Sequence, residues 1–407
     1  MKKSSALRSI ASALLVTLAW LVVLEVGFRI AEYVHHRVQS QAWNQEKTNT
    51  LASLYVAYPW GADFIKESAR YNFTPRYQAF EEFRMMPFAG KTIHVGEDGY
   101  RAVPGRHPDA RVQVEVFGGS TIAGSGVADE ATVPAFLQQR FNRRGTPVVN
   151  VANHGVGGWV NAQETVALAE ELKHGHVPDV VIFYDGVNDM VRTAQNIEAG
   201  TTWFKRGLTD FFLGNNALVE MVATRRGWPG SHLFGFVFRQ LREHGVRVRF
   251  VPFLERGAYD MSWPLYHEYA HLSEERRDQL ADATIANYLD NVRFVRRLAA
   301  IYKFDVYFFW QPMLYPSVTK KTLTPFEQHA LQGEPYGYID LAARVTPRIR
   351  RHPEIRDLTG ALDDLPETVF IDGAHLLAPG NERIADRIFD VVKSSKKFSL
   401  GRDWGDC

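Results

Sequence analysis

A glycine pair followed by hydroxyl residues, Gly118-Gly119-Ser120-Thr121, closes the alternating run 112–117 (VQVEVF). That order reads as a strand running into a tight turn. If a helix opens at Ser120, backbone N–H groups converge beside its hydroxyl, a setting that suits a nucleophile and stabilises an oxyanion. Further along, Asn153-His154-Gly155-Val156-Gly157-Gly158-Trp159 supplies glycines that let backbone amides approach a bound group closely. Asp185-Gly186-Val187-Asn188-Asp189 follows the apolar run PDVVIFY and offers a neutral side-chain amide donor at Asn188. Near the end, Asp372-Gly373-Ala374-His375 places a carboxylate three residues from an imidazole, where one turn lets the acid fix the ring's tautomer. Singly these are a turn, a cap and a surface pair. Together they supply a nucleophile, a base, an orienting acid and oxyanion donors, the parts of acyl transfer.

The elements that must carry these blocks alternate. Strand patterns at 112–117, 148–151, 178–184, 304–310 (FDVYFFW) and 368–371 are interleaved with helical spacing at 131–142, 163–172, 285–302 and 381–392. Strands alternating with helices predict a parallel sheet covered on both faces, a three-layer α/β/α fold. Ligands in such sheets bind beyond the carboxyl ends of the strands, and each block is expected to follow a strand there. The rhythm breaks over about 191–283, which reads as a mainly helical insertion. Residues 33–98 read as a helical connector leading into irregular structure.

The blocks resemble those of the SGNH hydrolase superfamily, the GDSL esterases and lipases. The family order of Ser, Gly, Asn and His falls on Ser120, Gly158, Asn188 and His375, with Asp372 as partner of the histidine. The flanking text agrees: VFGGST with GSGVADE, PDVVIFYDGVNDM and DGAHLLAPGNERIA. Gly119 stands where the family name has Asp. The resemblance, closest to an envelope-anchored bacterial branch with Gly99-Tyr100-Arg101 before the first strand, implies a flavodoxin-like fold and a catalytic set of Ser120, His375 and Asp372. It also implies oxyanion donors from the Ser120 and Gly158 N–H groups and the Asn188 amide, and neither metal nor cofactor. Domain limits follow: 1–32 a membrane segment, 33–98 the connector, 99–398 the hydrolase-like domain, 399–407 a tail.

Composition narrows the partners. Lys+Arg 47 against Asp+Glu 46 gives no basic surplus for nucleic acid. The single cysteine, Cys407, forms no internal disulfide. Lys2, Lys3 and Arg8 precede an uncharged run from 10 to 24, read as an uncleaved signal-anchor with a cleaved secretory signal peptide as the alternative. That places the body of the protein outside the cytoplasm, on the periplasmic side of the inner membrane. His267-Glu268-Tyr269-Ala270-His271 matches the zinc-protease pattern but lacks its downstream Gly and His, Glu274 and Arg277 standing there instead. The G-x-S-x-G elbow is absent, because Ile122 occupies its second glycine position. The insertion's aromatics (Trp203, Phe204, Phe211, Phe212) read as core packing or as a lid. Open functional readings are an esterase acting on short-chain or O-acetyl esters of an envelope glycan or small ester, a polysaccharide O-acetyltransferase, a lipase-like hydrolase, and a non-catalytic binding protein.

Overall fold

A computed structural model describes residues 20, 52–71, 74–143, 149–203, 205, 266–315, 320–334 and 336–399. The expected membrane segment at 1–32, bar Trp20, and residues 204 and 206–265 of the insertion expected over about 191–283 lie outside the described residues. Among the described residues no helix is long and apolar enough to cross a membrane.

The connector departs from expectation. After α1 (Gly61–Tyr71) it forms two small antiparallel hairpins, β1 (Pro75–Gln78) with β2 (Glu82–Met85) and β3 (Phe88–Ala89) with β4 (His94–Val95). Glu67 of α1 accepts the N–H groups of Lys91, Thr92 and Ile93 at 2.6, 2.8 and 3.2 Å, fixing the helix to the second hairpin.

The central sheet has five parallel strands in the order β6-β5-β7-β8-β9: β5 (Val112–Gly118), β6 (Val149–Gly155), β7 (Val180–Asp185), β8 (Asp305–Trp310) and β9 (Ile355–Asp357). This is the flavodoxin-like order, whose direction reverses between the first and third strands, here β5 and β7. Alternation along β5 sorts its side chains. Val112, Val114 and Val116 face a core shared with α3 (Val133–Phe141) and α10 (Ala378–Val392), through Leu137, Phe141, Ile384 and Ile388. On the opposite face Phe117, Phe183 and Phe308 sit directly across from one another in the strand register and stack at 5.3 and 5.1 Å between ring centroids. His154 extends this ladder onto β6, 4.7 Å from Phe117. Helices α4 (Asn161–Lys173), α5 (Val187–Asn196), α7 (Glu274–Tyr302) and α9 (Tyr336–Ile349) cover that face. The expected three-layer α/β/α architecture is the one found.

Helix starts follow local chemistry. Thr132 caps α3 by accepting the Ala135 N–H at 3.2 Å, with Pro134 in the first turn. Ser273 caps α7 by accepting from Arg276. Helix α8 (Pro325–Gln332) opens with a Thr324–Glu327 capping box.

The last strand differs from the one expected. Residues 368–371 do not join the sheet; the fifth strand is Ile355–Asp357. Phe370 makes only an isolated antiparallel bridge to Leu376. The Val369 and Phe370 N–H groups donate instead to the Glu327 carboxylate at 3.0 and 3.2 Å. Glu327 is wholly buried and paired with Lys320 at 2.8 Å. A buried ion pair thus stands where a sheet neighbour was expected. The Asp372–His375 turn hangs from that brace and not from a strand end.

Candidate active site

Strand β5 delivers the chain to Gly119, which caps the short helix α2 (Ser120–Ala123). A Cβ at Gly119 would stand 2.2 Å from Asn188 Nδ2, so the absence of a side chain lets the Asn188 amide lie against this turn. Asn188, in the first turn of α5, also donates to Trp159 O at 2.8 Å. The glycine block of β6 therefore meets the Asn block of β7 over the β5 turn, at the point where the strand order reverses.

On the other side stands the 372–375 turn. Asp372 Oδ1 accepts the N–H groups of Ala374 and His375 at 2.9 and 2.8 Å. His375 Nδ1 lies 2.7 Å from Asp372 Oδ2, and Nε2 lies 2.7 Å from Ser120 Oγ. With Nδ1–H donated to the carboxylate, Nε2 is left to accept the serine proton. Withdrawal from water works against the Asp372 charge. The His375 ring and the two N–H groups outweigh it and hold the acid at about 2. Asp372, His375 and Ser120 thus form one relay joining residues 255 positions apart in the chain.

Gly158 has φ +84°, a left-handed conformation suited to glycine. Its Cα faces Trp203, whose ring would stand 2.7 Å from an added Cβ, and Arg192 stacks on that ring at 4.2 Å. Gly155, in the same glycine block, serves packing. An added Cβ there would meet Ala123 N at 2.2 Å, so the bare glycine lets β6 approach α2. His154 belongs to the core. Burial, and then the charges of Arg84 and Arg106, push its imidazole down to about 3.

Three supports of the site have roles that sequence reasoning does not assign. Arg101 donates Nε to Asp129 Oδ1 at 2.6 Å and its two terminal nitrogens to Gly124 O and Val127 O at 2.6 and 2.7 Å, clamping the loop that leaves α2. Tyr55, in the connector, donates to Gly126 O at 2.6 Å, and burial and then the Asp372 charge push its phenol well up. Glu334 accepts the Gly373 N–H at 2.8 Å. The Gly-Tyr-Arg tripeptide stands out in the sequence, but nothing in its spacing declares a clamp.

The histidines of the zinc-like motif are not carried on one helix, since α6 (Tyr266–Ala270) ends before His271. Among the described residues no group of three or more His, Cys, Asp or Glu side chains is placed to hold a metal ion.

Residues 116–307 match the model of the GDSL-like Lipase/Acylhydrolase family. The chain carries a GDSL-like lipase/acylhydrolase domain. It is an SGNH-type enzyme that acts on ester bonds. The match takes in Ser120, Gly158 and Asn188 and stops short of Asp372 and His375, which the fold brings to Ser120. No curated protein matches the sequence. Solved structures similar to this GDSL chain include a carbohydrate acetylesterase family member from Sinorhizobium meliloti (16% identity, 71% of this chain and 100% of that one, TM-score 0.32). Others are a member of the lipolytic protein G-D-S-L family from Veillonella parvula (10% identity, 70% and 100%, TM-score 0.33) and a catalytic mutant of an acetylxylan esterase from Geobacillus stearothermophilus (11% identity, 73% and 98%, TM-score 0.34). At these scores the assignment of the GDSL domain rests on the family match.

Two predictions arise here. Restoring the family's acid with Gly119→Asp puts a side chain where the Asn188 amide lies. The clash is with the mobile end of a side chain, so folding is expected to survive while turnover falls about 10²-fold, the usual loss for one displaced oxyanion donor. Ester hydrolysis alongside thermal unfolding checks this; full activity in the variant would show that Asn188 is not needed where it stands.

The second concerns the acids beneath Asn188. Glu164, Asp185 and Asp189 are all buried, and Asp185 accepts from Asn161 at 2.9 Å and Tyr288 at 3.0 Å. Burial, and then the neighbouring Asp185, push Glu164 well above the usual carboxylate range; burial does the same to Asp189. The folded protein keeps protons that the unfolded chain releases, so stability declines as pH rises above the ordinary glutamate range. Glu164→Gln is expected to flatten that decline and raise stability at pH 8 by about 1–3 kcal/mol, several degrees in Tm. Melting curves from pH 5 to pH 8 test it; parallel curves for the two proteins would rule it out.

Proposed function

We propose that this enzyme is a serine esterase that removes short acyl groups, O-acetyl above all, from an envelope glycan or a small ester. The Asp372–His375–Ser120 relay, with both links at 2.7 Å, carries the reading. His375 Nε2 takes the Ser120 proton as Oγ attacks the ester carbonyl. The resulting oxyanion is received by the Ser120 and Gly158 N–H groups and the Asn188 amide. The alcohol leaves with the proton from His375, and water, activated by the same imidazole, releases the acid. No step calls for a metal or a cofactor. The basic, then apolar N-terminus supports an anchored enzyme working on the periplasmic side of the inner membrane.

The short-chain part of the reading is supported by Trp203, whose ring packs on Gly158 and limits room beside the oxyanion site. The test is a series of p-nitrophenyl esters from acetate to octanoate, together with product analysis on an O-acetylated polysaccharide. Acetate is expected to be preferred, each unaccommodated methylene costing roughly 1–3 kcal/mol, and free acetate is expected from the glycan. A preference for octanoate overturns the short-chain reading. Transfer of acetyl to a sugar hydroxyl without release of acetate makes the enzyme an O-acetyltransferase.

A further inference from the structure

The Asp372–His375 turn is held at three points, and one holder carries chemistry of its own. Leu314 N donates to Gly373 O at 2.8 Å, and the Glu327–Lys320 pair fixes residues 369–370 just before the turn. Glu334, in the turn that follows α8, accepts the Gly373 N–H at 2.8 Å. Its carboxyl packs on Gly373 so closely that an added Cβ there would stand 2.5 Å from Glu334 Cδ and Oε1. Gly373 is the residue directly after Asp372, so a second carboxyl lies against the backbone of the turn that carries the acid and the base.

We propose that Glu334 is a positioning residue for the proposed reaction: it fixes the Asp372–His375 turn through the Gly373 N–H, and its charge favours the imidazolium formed when Ser120 gives up its proton. The inference rests on the serine-esterase reading above. Two contributions are separable. The hydrogen bond sets where the turn sits, whereas the negative charge acts on His375 through space. The groups that act on Glu334 are Asp372, whose charge opposes its ionisation, and His375, whose positive form favours it. Lys320 and Glu327 neutralise one another on the neighbouring segment. Burial, reinforced by Asp372, lifts the Glu334 carboxyl to about 7. Its charge is therefore gained across the range in which a histidine base works, and activity should climb through neutrality as both groups lose protons.

Glu334→Gln keeps an oxygen for the Gly373 N–H and removes the charge; Glu334→Ala removes both. With p-nitrophenyl acetate, kcat, KM and the pH dependence of kcat/KM are measured for the full-length wild type and each variant, with thermal unfolding as the control on folding. For Glu334→Gln, kcat is expected to fall about 3–10-fold with KM within twofold. The rising limb near pH 7 is expected to become a single ionisation displaced to lower pH by about 0.5–1 unit. Glu334→Ala should fall further, by about 10²-fold, since a small misplacement of the base is costly. A Glu334→Gln pH profile that superimposes on the wild type overturns the proposal, whether kcat is unchanged or lowered, because a purely structural brace would leave the profile in place. The two levels separate cleanly. If Ser120→Ala is as active as wild type, the esterase reading fails. If Ser120→Ala is inactive and Glu334→Gln keeps the wild-type profile, only the role of Glu334 falls.

Discussion

Ser120→Ala is expected to lower kcat for p-nitrophenyl acetate by about 10⁶-fold, leaving only the residual catalysis that oxyanion donors and binding supply. The hydroxyl is the atom to which His375 Nε2 points at 2.7 Å. Removing it deletes the acyl-enzyme and leaves the turn otherwise intact, because α2 is built from backbone bonds such as Ala123 N to Gly119 O. The melting temperature should therefore scarcely move. Intact mass after treatment with an activated phosphonate gives an independent reading: wild type gains one adduct, and Ser120→Ala gains none. A variant that still turns over, or still accepts the adduct, would place the nucleophile elsewhere.

Asp372→Asn is the second large effect, about 10⁴-fold in kcat with KM little changed. The carboxylate accepts His375 Nδ1–H at 2.7 Å and the N–H groups of Ala374 and His375. An asparagine retains an oxygen for the turn's backbone donors, so the turn should keep its shape. Its amide then faces Nδ1 with a donor, which favours the tautomer carrying the proton on Nε2, where the serine proton must arrive. Because the wild-type acid is held at about 2, its protonation contributes no step to the activity profile above about pH 4, and the limb near neutrality belongs to the groups around His375. A fall much smaller than tenfold in the Asn variant would mean that Asp372 only shapes the turn.

Much of this site was legible because sheet physics writes itself into sequence. β7 is buried along its whole length, and its run of Val, Ile, Phe and Tyr announces that. β5 shows its two faces by alternation, and the glycines after it mark the turn that exposes Ser120. Where pattern misleads, the hydrogen bonds have gone to unexpected partners. Residues 368–371 have the composition of a strand, yet the Val369 and Phe370 N–H groups end on the buried Glu327 carboxylate, a solution no local pattern encodes. The true fifth strand, Ile355–Asp357, is too short and too charged to show a period. Helix α7 begins at Glu274, eleven residues before its apolar spacing becomes clear, because its first turns are polar. Arg101, Tyr55 and Glu334 act through contacts to backbone oxygens and N–H groups remote in sequence, and such contacts leave no spacing to read.

The suspension of the Asp372–His375 turn from a buried ion pair has a bearing on how this scaffold can evolve. Ser120 and Asn188, the proposed nucleophile and an oxyanion donor, are placed by the sheet and its switch point. The base and its acid occupy a short appendage that contributes no strand. Residues 372–375 could therefore be rewritten with little disturbance to the sheet itself, taking away the base and its acid while the β5 turn stays in place. The reverse passage would need the turn together with its supports, Leu314, the Glu327–Lys320 pair and Glu334.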